Sequence, residues 1–150
     1  MPKPRGKVRR YAEGTSVAAE RSIAEIRKLL LAHGATAFMV AEGTVEGDSQ
    51  SKTVIQFQID GRLVRFEVFR PPSKFGTNPQ RDQEWRRRWR VMVIRVKVRL
   101  EAIADGDSSV DVEFLPWIVL PDGSQVGHHT SPQLQQTYID GKMPKLLLPG

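Results

Sequence analysis

Apolar residues recur along this chain with two different periods, and the places where the period changes outline its elements. Between Ala19 and Leu30 they return every three or four positions (Ala19, Ile23, Ile26, Leu30, with Leu29 alongside), the spacing of a helix with one face against a core. Ser16 is placed to cap the start of that helix. Arg27, Lys28 and His33 suit the negative end of its dipole, and Gly34 suits a left-handed terminus. His33 is therefore read as part of the helix end rather than as a catalytic group.

Period two follows. "ATAFMVAEG" (35–43), "TVIQFQID" (53–60) and "GRLVRFEVFR" (61–70) read as three strands, with the polar loop "TVEGDSQSK" (44–52) between the first two. Asp60-Gly61 is a two-residue hairpin turn. Folding at that turn sets Ile59 opposite Arg62, Phe57 opposite Val64 and Ile55 opposite Phe66, which gathers apolar side chains on one face. Gln56, Gln58, Arg65 and Glu67, with Leu63 and Phe69 among them, fall on the other. The pattern predicts a sheet covered by helices on one side.

The stretch "EWRRRWRVMVIRVKVRL" (84–100) is ambiguous. Ile94, Val96, Val98 and Leu100 alternate with Arg95, Lys97 and Arg99, as in a strand. Yet no Gly or Pro interrupts the chain from Pro79 to Gly106, and good helix formers flank the stretch. Asn78-Pro79 is a sound helix start. One long helix is favoured. On that helix Trp85, Trp89, Met92, Val93, Val96, Leu100 and Ile103 form one apolar stripe. Val91, Ile94, Val98 and Ala102 form a second on the opposite side. Arg86, Arg90 and Lys97 fill one seam between them; Arg81, Arg88, Arg95 and Arg99 fill the other. Two stripes imply a sandwiched helix, one side on the sheet and first helix, the other under the C-terminal tail or a second subunit.

Beyond it, "VDVEFLPWIVLPDG" (110–123) reads as a short strand or extended segment, and "PQLQQTYIDG" as a short helix starting at Pro132. Leu146, Leu147 and Leu148 need apolar surface to lie on. The expectation is one α+β domain over 15–150. Its order is α-β-β-β-α, with a three-stranded antiparallel sheet, one long central helix and an extended C-terminal segment packed on it. Trp85, Trp89, Val96, Leu100, Phe57, Val64, Phe66, Ile23 and Ile26 are expected in one core. Residues 1–14, rich in Pro, Gly and basic side chains, predict a mobile arm.

Composition narrows function. The absence of Cys removes disulfides, thiol nucleophiles and thiolate metal sites. No segment has the length and apolarity of a membrane span, and no apolar run follows the basic N-terminus as in a secretion signal. A soluble protein of the cytoplasm is expected. The net charge is +6, and twelve of the 23 basic residues fall in two short stretches, 1–10 and 84–100, which favours a polyanionic partner. The candidate phosphate contacts are Arg5, Lys7, Arg9 and Arg10 in the arm, and Arg86, Arg88, Arg90, Arg95, Lys97 and Arg99 on the helix. Phe69 and Phe75, beside Arg70 and Lys74, are candidate stacking residues for a single strand. Salt-bridged helix flanks are the competing reading of the arginines, and core packing that of the tryptophans.

Enzyme chemistry is thinly represented. His128 and His129 are adjacent and lack a third ligand of metal-site spacing besides Asp122, and Asp60 is better used in the hairpin turn than in a metal pair with Glu67. Phosphate-loop, Gly-x-Ser-x-Gly and His-Glu-x-x-His motifs are missing. No cofactor, metal or catalytic residue is expected.

"YAEGT" (11–15), "HGA" (33–35), "GRLVRF" (61–66), "RRRW" (86–89), "KVRLEAI" (97–103), "EFLPWIVLPDGSQVG" (113–127) and "GKMPKLLLP" (141–149) together resemble a group of small proteins encoded by bacteriophages and prophages. The resemblance runs from Tyr11 almost to the end. Members of the group have a Lys- and Leu-rich helix where this chain has "VIRVKVRL", which supports the helical reading; this chain is richer in Val and Arg there. The resemblance implies a phage or mobile-element origin and a host-cytoplasmic setting, and it supplies no catalytic residues. The order helix, three antiparallel strands, helix also occurs in double-stranded-RNA-binding domains, an analogy of topology alone. Their lysine cluster is replaced here by "QRDQEWRRR". The function expected is that of a nucleic-acid-binding accessory protein, for DNA or RNA, which holds the phosphate backbone through the arm and one arginine seam; the alternative is an oligomeric phage structural or interaction protein, or an inhibitor of a host protein, that leaves nucleic acid alone.

Overall fold

The computed structural model describes residues 8–44 and 51–146. Through them run helix α1 (Ala19–Ala32), strands β1 (Thr36–Thr44), β2 (Ser51–Ile59) and β3 (Arg62–Phe69), the long helix α2 (Asn78–Ala104), and two further helices, α3 (Val110–Phe114) and α4 (Val126–Asp140). The first five stand in the order α-β-β-β-α, and the sheet is antiparallel with strand order β1-β2-β3. The protein is a single α+β domain, and residues 91–100 are helical throughout.

The hairpin keeps the expected register, with Ile59 paired to Arg62, Phe57 to Val64 and Ile55 to Phe66. Asp60 and Gly61 both adopt positive φ, +49° and +72°, the conformation that makes a two-residue turn follow the sheet's twist. Ile55, Phe57, Ile59, Val64, Phe66 and Val68 then share one buried face. Ile26 and Leu30 of α1 and Trp85, Trp89, Met92, Val93, Val96 and Leu100 of α2 complete the core. Ile23 packs against this cluster half-buried. Phe114, fully buried, closes it edge-on against Phe57 and Phe66. The opposite sheet face stays polar, with Lys52 bonded to Glu67 and Arg65 to Gln56.

Both helix starts differ from expectation. Helix α1 begins at Ala19 rather than directly after Ser16, and Ala18 occupies the cap position without a side-chain bond. Thr15 is instead held against α2: its carbonyl accepts from Gln83 Nε2 at 2.8 Å and Arg86 Nε at 3.3 Å. For α2 the cap is Thr77, not Asn78. Its hydroxyl accepts from the Gln80 amide while the Gln80 side chain accepts from the Thr77 amide, a reciprocal pair that satisfies two orphan donors at once. The other end of α1 is as read, with Gly34 at φ +87° and His33 Nδ1 2.8 Å from the Leu29 carbonyl.

The largest difference lies after α2. Residues expected to be extended fold into α3, capped by Ser109, and a tight turn over Leu115–Trp117. Only then does the chain extend, and Val119 donates to the Leu63 carbonyl at 2.8 Å. The Gln125 side chain adds a bond to the Arg65 carbonyl at 2.6 Å, and Arg88 Nη1 one to the Phe69 carbonyl at 2.6 Å. Three different groups thus occupy the free edge of β3, which would otherwise offer a template to another strand. Helix α4 starts six residues before Pro132 and docks on the 115–117 turn. There Gly127 is required, since a Cβ would lie 2.9 Å from the Pro116 carbonyl oxygen.

Candidate functional site

The arginines of α2 are positioned by what they touch inside the domain. Helices α1 and α2 run side by side in the same direction, because Thr15 meets Gln83 and Arg86 while Ser22 and Glu25 meet Arg90. The first seam faces α1. Arg86 donates to the Thr15 carbonyl and to Gln83 Oε1; Arg90 Nη1 lies 2.7 Å from Glu25 Oε2 and reaches the Ser22 hydroxyl. Lys97, also of this seam, is exposed.

The second seam faces β3 and the segment after α2. Arg88 holds the Phe69 carbonyl and Glu84. Arg95 and Arg99 lie over the Trp117 ring, 5.1 and 4.8 Å from its centroid, and Arg99 also donates to the Glu113 carbonyl. Trp117 in turn packs on Phe66 at 4.8 Å. Burial, and then the neighbouring Arg99 charge, hold the Arg95 guanidinium below its ordinary pKa. Arg81 is spent on the Ser73 and Gly76 carbonyls.

Glu84 is the charge centre of this region. Its side chain is 4 % exposed and accepts from Arg10, Arg87 and Arg88. Burial raises its pKa. The Arg87 hydrogen bond and the charges of Arg87, Arg10 and Arg88 together outweigh that and leave it below the usual carboxylate value. Arg10 is therefore docked, and residues 11–14 form a turn, so the described end of the expected arm lies against α2. Arg9 is exposed; Arg5 and Lys7 lie outside the described residues. Of the described candidates, Arg10, Arg86, Arg88, Arg90, Arg95 and Arg99 have partners within the domain, and Arg9 and Lys97 are exposed.

The aromatic candidates separate likewise. Phe75 is exposed and Phe69 half-buried, while Arg70 stacks over the Trp85 ring at 4.6 Å. Trp85 and Trp89 meet edge to face inside the core. Among the described residues no group of three or more His, Asp or Glu could hold a metal. His129 Nε2 lies 2.7 Å from Ser124 Oγ, whose oxygen is also 2.5 Å from Asp122 Oδ1. With its single proton given to Asp122, that hydroxyl accepts from the imidazole, the reverse of an activated nucleophile. The trio ties the Pro121–Ser124 turn to α4.

What the charge pattern did not single out is α4 itself. Val126 is its buried residue, and its C-terminal half carries Leu134, Tyr138 and Ile139 exposed, the latter two at 90 % and 73 %. From Val126 to Ile139 the chain holds no Asp, Glu, Lys or Arg, a signal readable in the sequence. Residues 142–146 fold back along α4. The Gln133 amide donates to the Leu146 carbonyl, and a groove of about 410 Å³ lies between Gln133, Thr137, Asp140 and Met143–Lys145. The tail expected to cover α2 therefore runs beside α4 as far as Leu146; Leu147 and Leu148 lie outside the described residues. On α2 the second stripe faces outward, with Val91, Ile94 and Ala102 half-buried and Val98 exposed. No described helix is long and apolar enough to cross a membrane.

No family model, curated protein or solved structure matches the chain.

Proposed function

We propose that the protein is an interaction module of phage or mobile-element origin, acting in the host cytoplasm, and that its working surface is α4 with the segment that returns along it. The observation carrying this reading is a helix without charge from Val126 to Ile139, with Leu134, Tyr138 and Ile139 in solvent. Depletion of charge with exposed aromatic and aliphatic side chains is the composition of a protein–protein interface centre, and it is poorly suited to phosphate. The arginines that raised the nucleic-acid reading are engaged by Glu84, Glu25, backbone carbonyls and the Trp117 ring. A photo-crosslinking side chain at position 138, expressed in host cells, is expected to give a covalent protein adduct, and the same group at position 97 none. Adducts to nucleic acid alone, from either position, would reject this function.

A second reading keeps nucleic acid as the partner. It rests on exposed Arg9 and Lys97 and on the basic residues Lys3, Arg5 and Lys7 that precede them in sequence. Electrophoretic shift assays with single- and double-stranded DNA and RNA at low salt test it. Retardation that weakens alike for every sequence as salt rises is its signature.

A further inference from the structure

The sheet has two edges, and the fold treats them differently. At β3 the carbonyls of Leu63, Arg65 and Phe69 accept from Val119, Gln125 and Arg88. At the other edge lies β1, whose strand partner is β2 alone, and among the described residues no group hydrogen-bonds to its outer side. Met39 and Val40 are 46 % and 42 % exposed, and Ala41, Glu42 and Gly43 are also exposed.

The alternation of the ladder identifies which backbone groups of β1 point outward. The Arg70 amide donates to the Ser51 carbonyl at 2.9 Å, so the odd-numbered residues of β2 turn their backbone groups toward β3. Its even-numbered residues therefore bond β1, through Met39, Ala41 and Gly43. Val40 and Glu42 are left with amide and carbonyl both directed away from the sheet. The same alternation makes Leu63, Arg65 and Phe69 outward residues of β3, and those are the carbonyls that the fold caps. Val40 and Glu42 pair with Ile55 and Thr53, both buried, so their side chains lie on the core face of the sheet. Phe38 packs half-buried against the core on the same strand. Between Thr36 and Met39 the register with β2 shifts and Ala37 takes φ +53°, a bulge that confines regular pairing to residues 39–44.

We infer that β1 accepts an extended segment of another protein as a fourth strand, with a basic side chain beside Glu42 and an apolar one beside Val40. The occupant follows from the edge: two amides and two carbonyls at strand spacing are matched in full by another extended backbone. Its side chains follow from the face. A residue opposite Val40 covers an aliphatic group at the rim of the core. One opposite Glu42 meets a carboxylate that pairs with no cation among the described residues. A second copy is the poorer match. The outward groups allow β1 to pair with itself about a two-fold axis at Val40, Ala41 or Glu42, which sets Glu42 opposite Phe38, Val40 or the other Glu42. None of these supplies a cation.

Synthetic peptides test this on the purified full chain. The probe is the capped peptide Thr-Lys-Thr-Val-Thr-Leu-Thr, which in antiparallel pairing sets its Lys beside Glu42, its Val beside Val40 and its Leu beside Phe38. At about 1 mM, where weak specific binding is populated, it is expected to shift the amide resonances of Val40 and Glu42 and slow their exchange with solvent. Methylating the amide nitrogen of the peptide's Lys or Val, which faces β1, should abolish binding. Methylating that of the Thr between them, which points away, should not. Replacing the peptide's Lys by Glu should weaken binding about fivefold, and Glu42→Lys should reverse the preference. Val40→Pro removes an outward amide without touching a bond to β2, and should end binding while β2 and β3 keep their exchange protection. Absence of shifts at Val40 and Glu42, equal sensitivity to methylation at either kind of position, or indifference to the peptide's charge overturns the inference. So does protection of these two amides that grows with protein concentration when no peptide is present, the mark of a second copy on this edge. The inference is independent of α4, whose docking is read separately by the cross-link at position 138.

Discussion

The Glu84 carboxylate lies 3.1 Å from the Arg10 guanidinium across 74 residues of chain, and this pair fastens the segment before α1 to the long helix. Arg87 and Arg88 bind the same carboxylate from within α2, so one buried anion organises three cations.

Glu84→Gln keeps the shape but removes the charge that three guanidinium groups face. It is expected to lower the unfolding free energy by about 1–3 kcal/mol, less than a fully buried pair because Arg10 and Arg88 remain partly in water. Denaturant titration measures this as a lower midpoint.

Acid should act on the same centre. The Glu84 pKa is depressed in the folded protein below the ordinary glutamate value of 4.5, so its contribution to stability is present in full above that unfolded value and is lost as pH falls below 4.5 through the folded value. A stability–pH profile of wild type minus Glu84→Gln should therefore be flat from pH 6 to 8 and decline below 4.5. A difference that stays constant into acid would remove Glu84 from this role.

Gln125 is 5 % exposed, and its Nε2 donates to the Arg65 carbonyl at 2.6 Å and the Trp117 carbonyl at 3.1 Å. Gln125→Ala leaves both acceptors without that donor, with an expected cost of about 1–3 kcal/mol. Hydrogen exchange should quicken along β3 and at the start of α4, while the α1–α2 contact keeps its protection.

Trp117 joins the returning chain to the core through Phe66 and carries the guanidinium groups of Arg95 and Arg99. Trp117→Ala is expected to cost about 2–4 kcal/mol, chiefly from lost packing with a smaller cation–π part. Thermal denaturation followed by circular dichroism reads the loss.

Replacing Arg86 and Arg90 together by Gln separates the two accounts of the helix arginines. As structural groups they hold Thr15, Gln83, Ser22 and Glu25, so the double variant should lose about 1 kcal/mol of stability. Any nucleic-acid affinity should keep its salt dependence. Flattening of log affinity against log salt by roughly 0.7 per arginine for single strands would instead return them to phosphate contact.

Local pattern was sufficient for much of this molecule. Asp60-Gly61 and the alternation on either side determined the hairpin register, because slipping by one residue would turn Phe57, Val64 and Phe66 toward water. The unbroken run after Pro79 outweighed the alternation of Ile94 to Leu100, since a helix satisfies its own backbone over that length whatever its side chains. The stripe from Trp85 to Leu100 was legible as core for the same reason. What tertiary structure alone decided was where each charge goes. Seven cations between 86 and 99 look alike in sequence, and only packing brings Glu84, Glu25, the Phe69 carbonyl or the Trp117 ring within reach of particular ones. The extended pattern of 110–123 failed likewise. Ser109 caps a short helix there, a local signal, but Phe114 finds the space between Phe57 and Phe66, and the Leu63 carbonyl takes the Val119 amide; Phe57, Phe66 and Leu63 all lie far off along the chain. Sequence periodicity reports which face of an element avoids water, while the partner on that face, and the exposure of α4 where no described partner comes, follow from the closed shape of the whole domain.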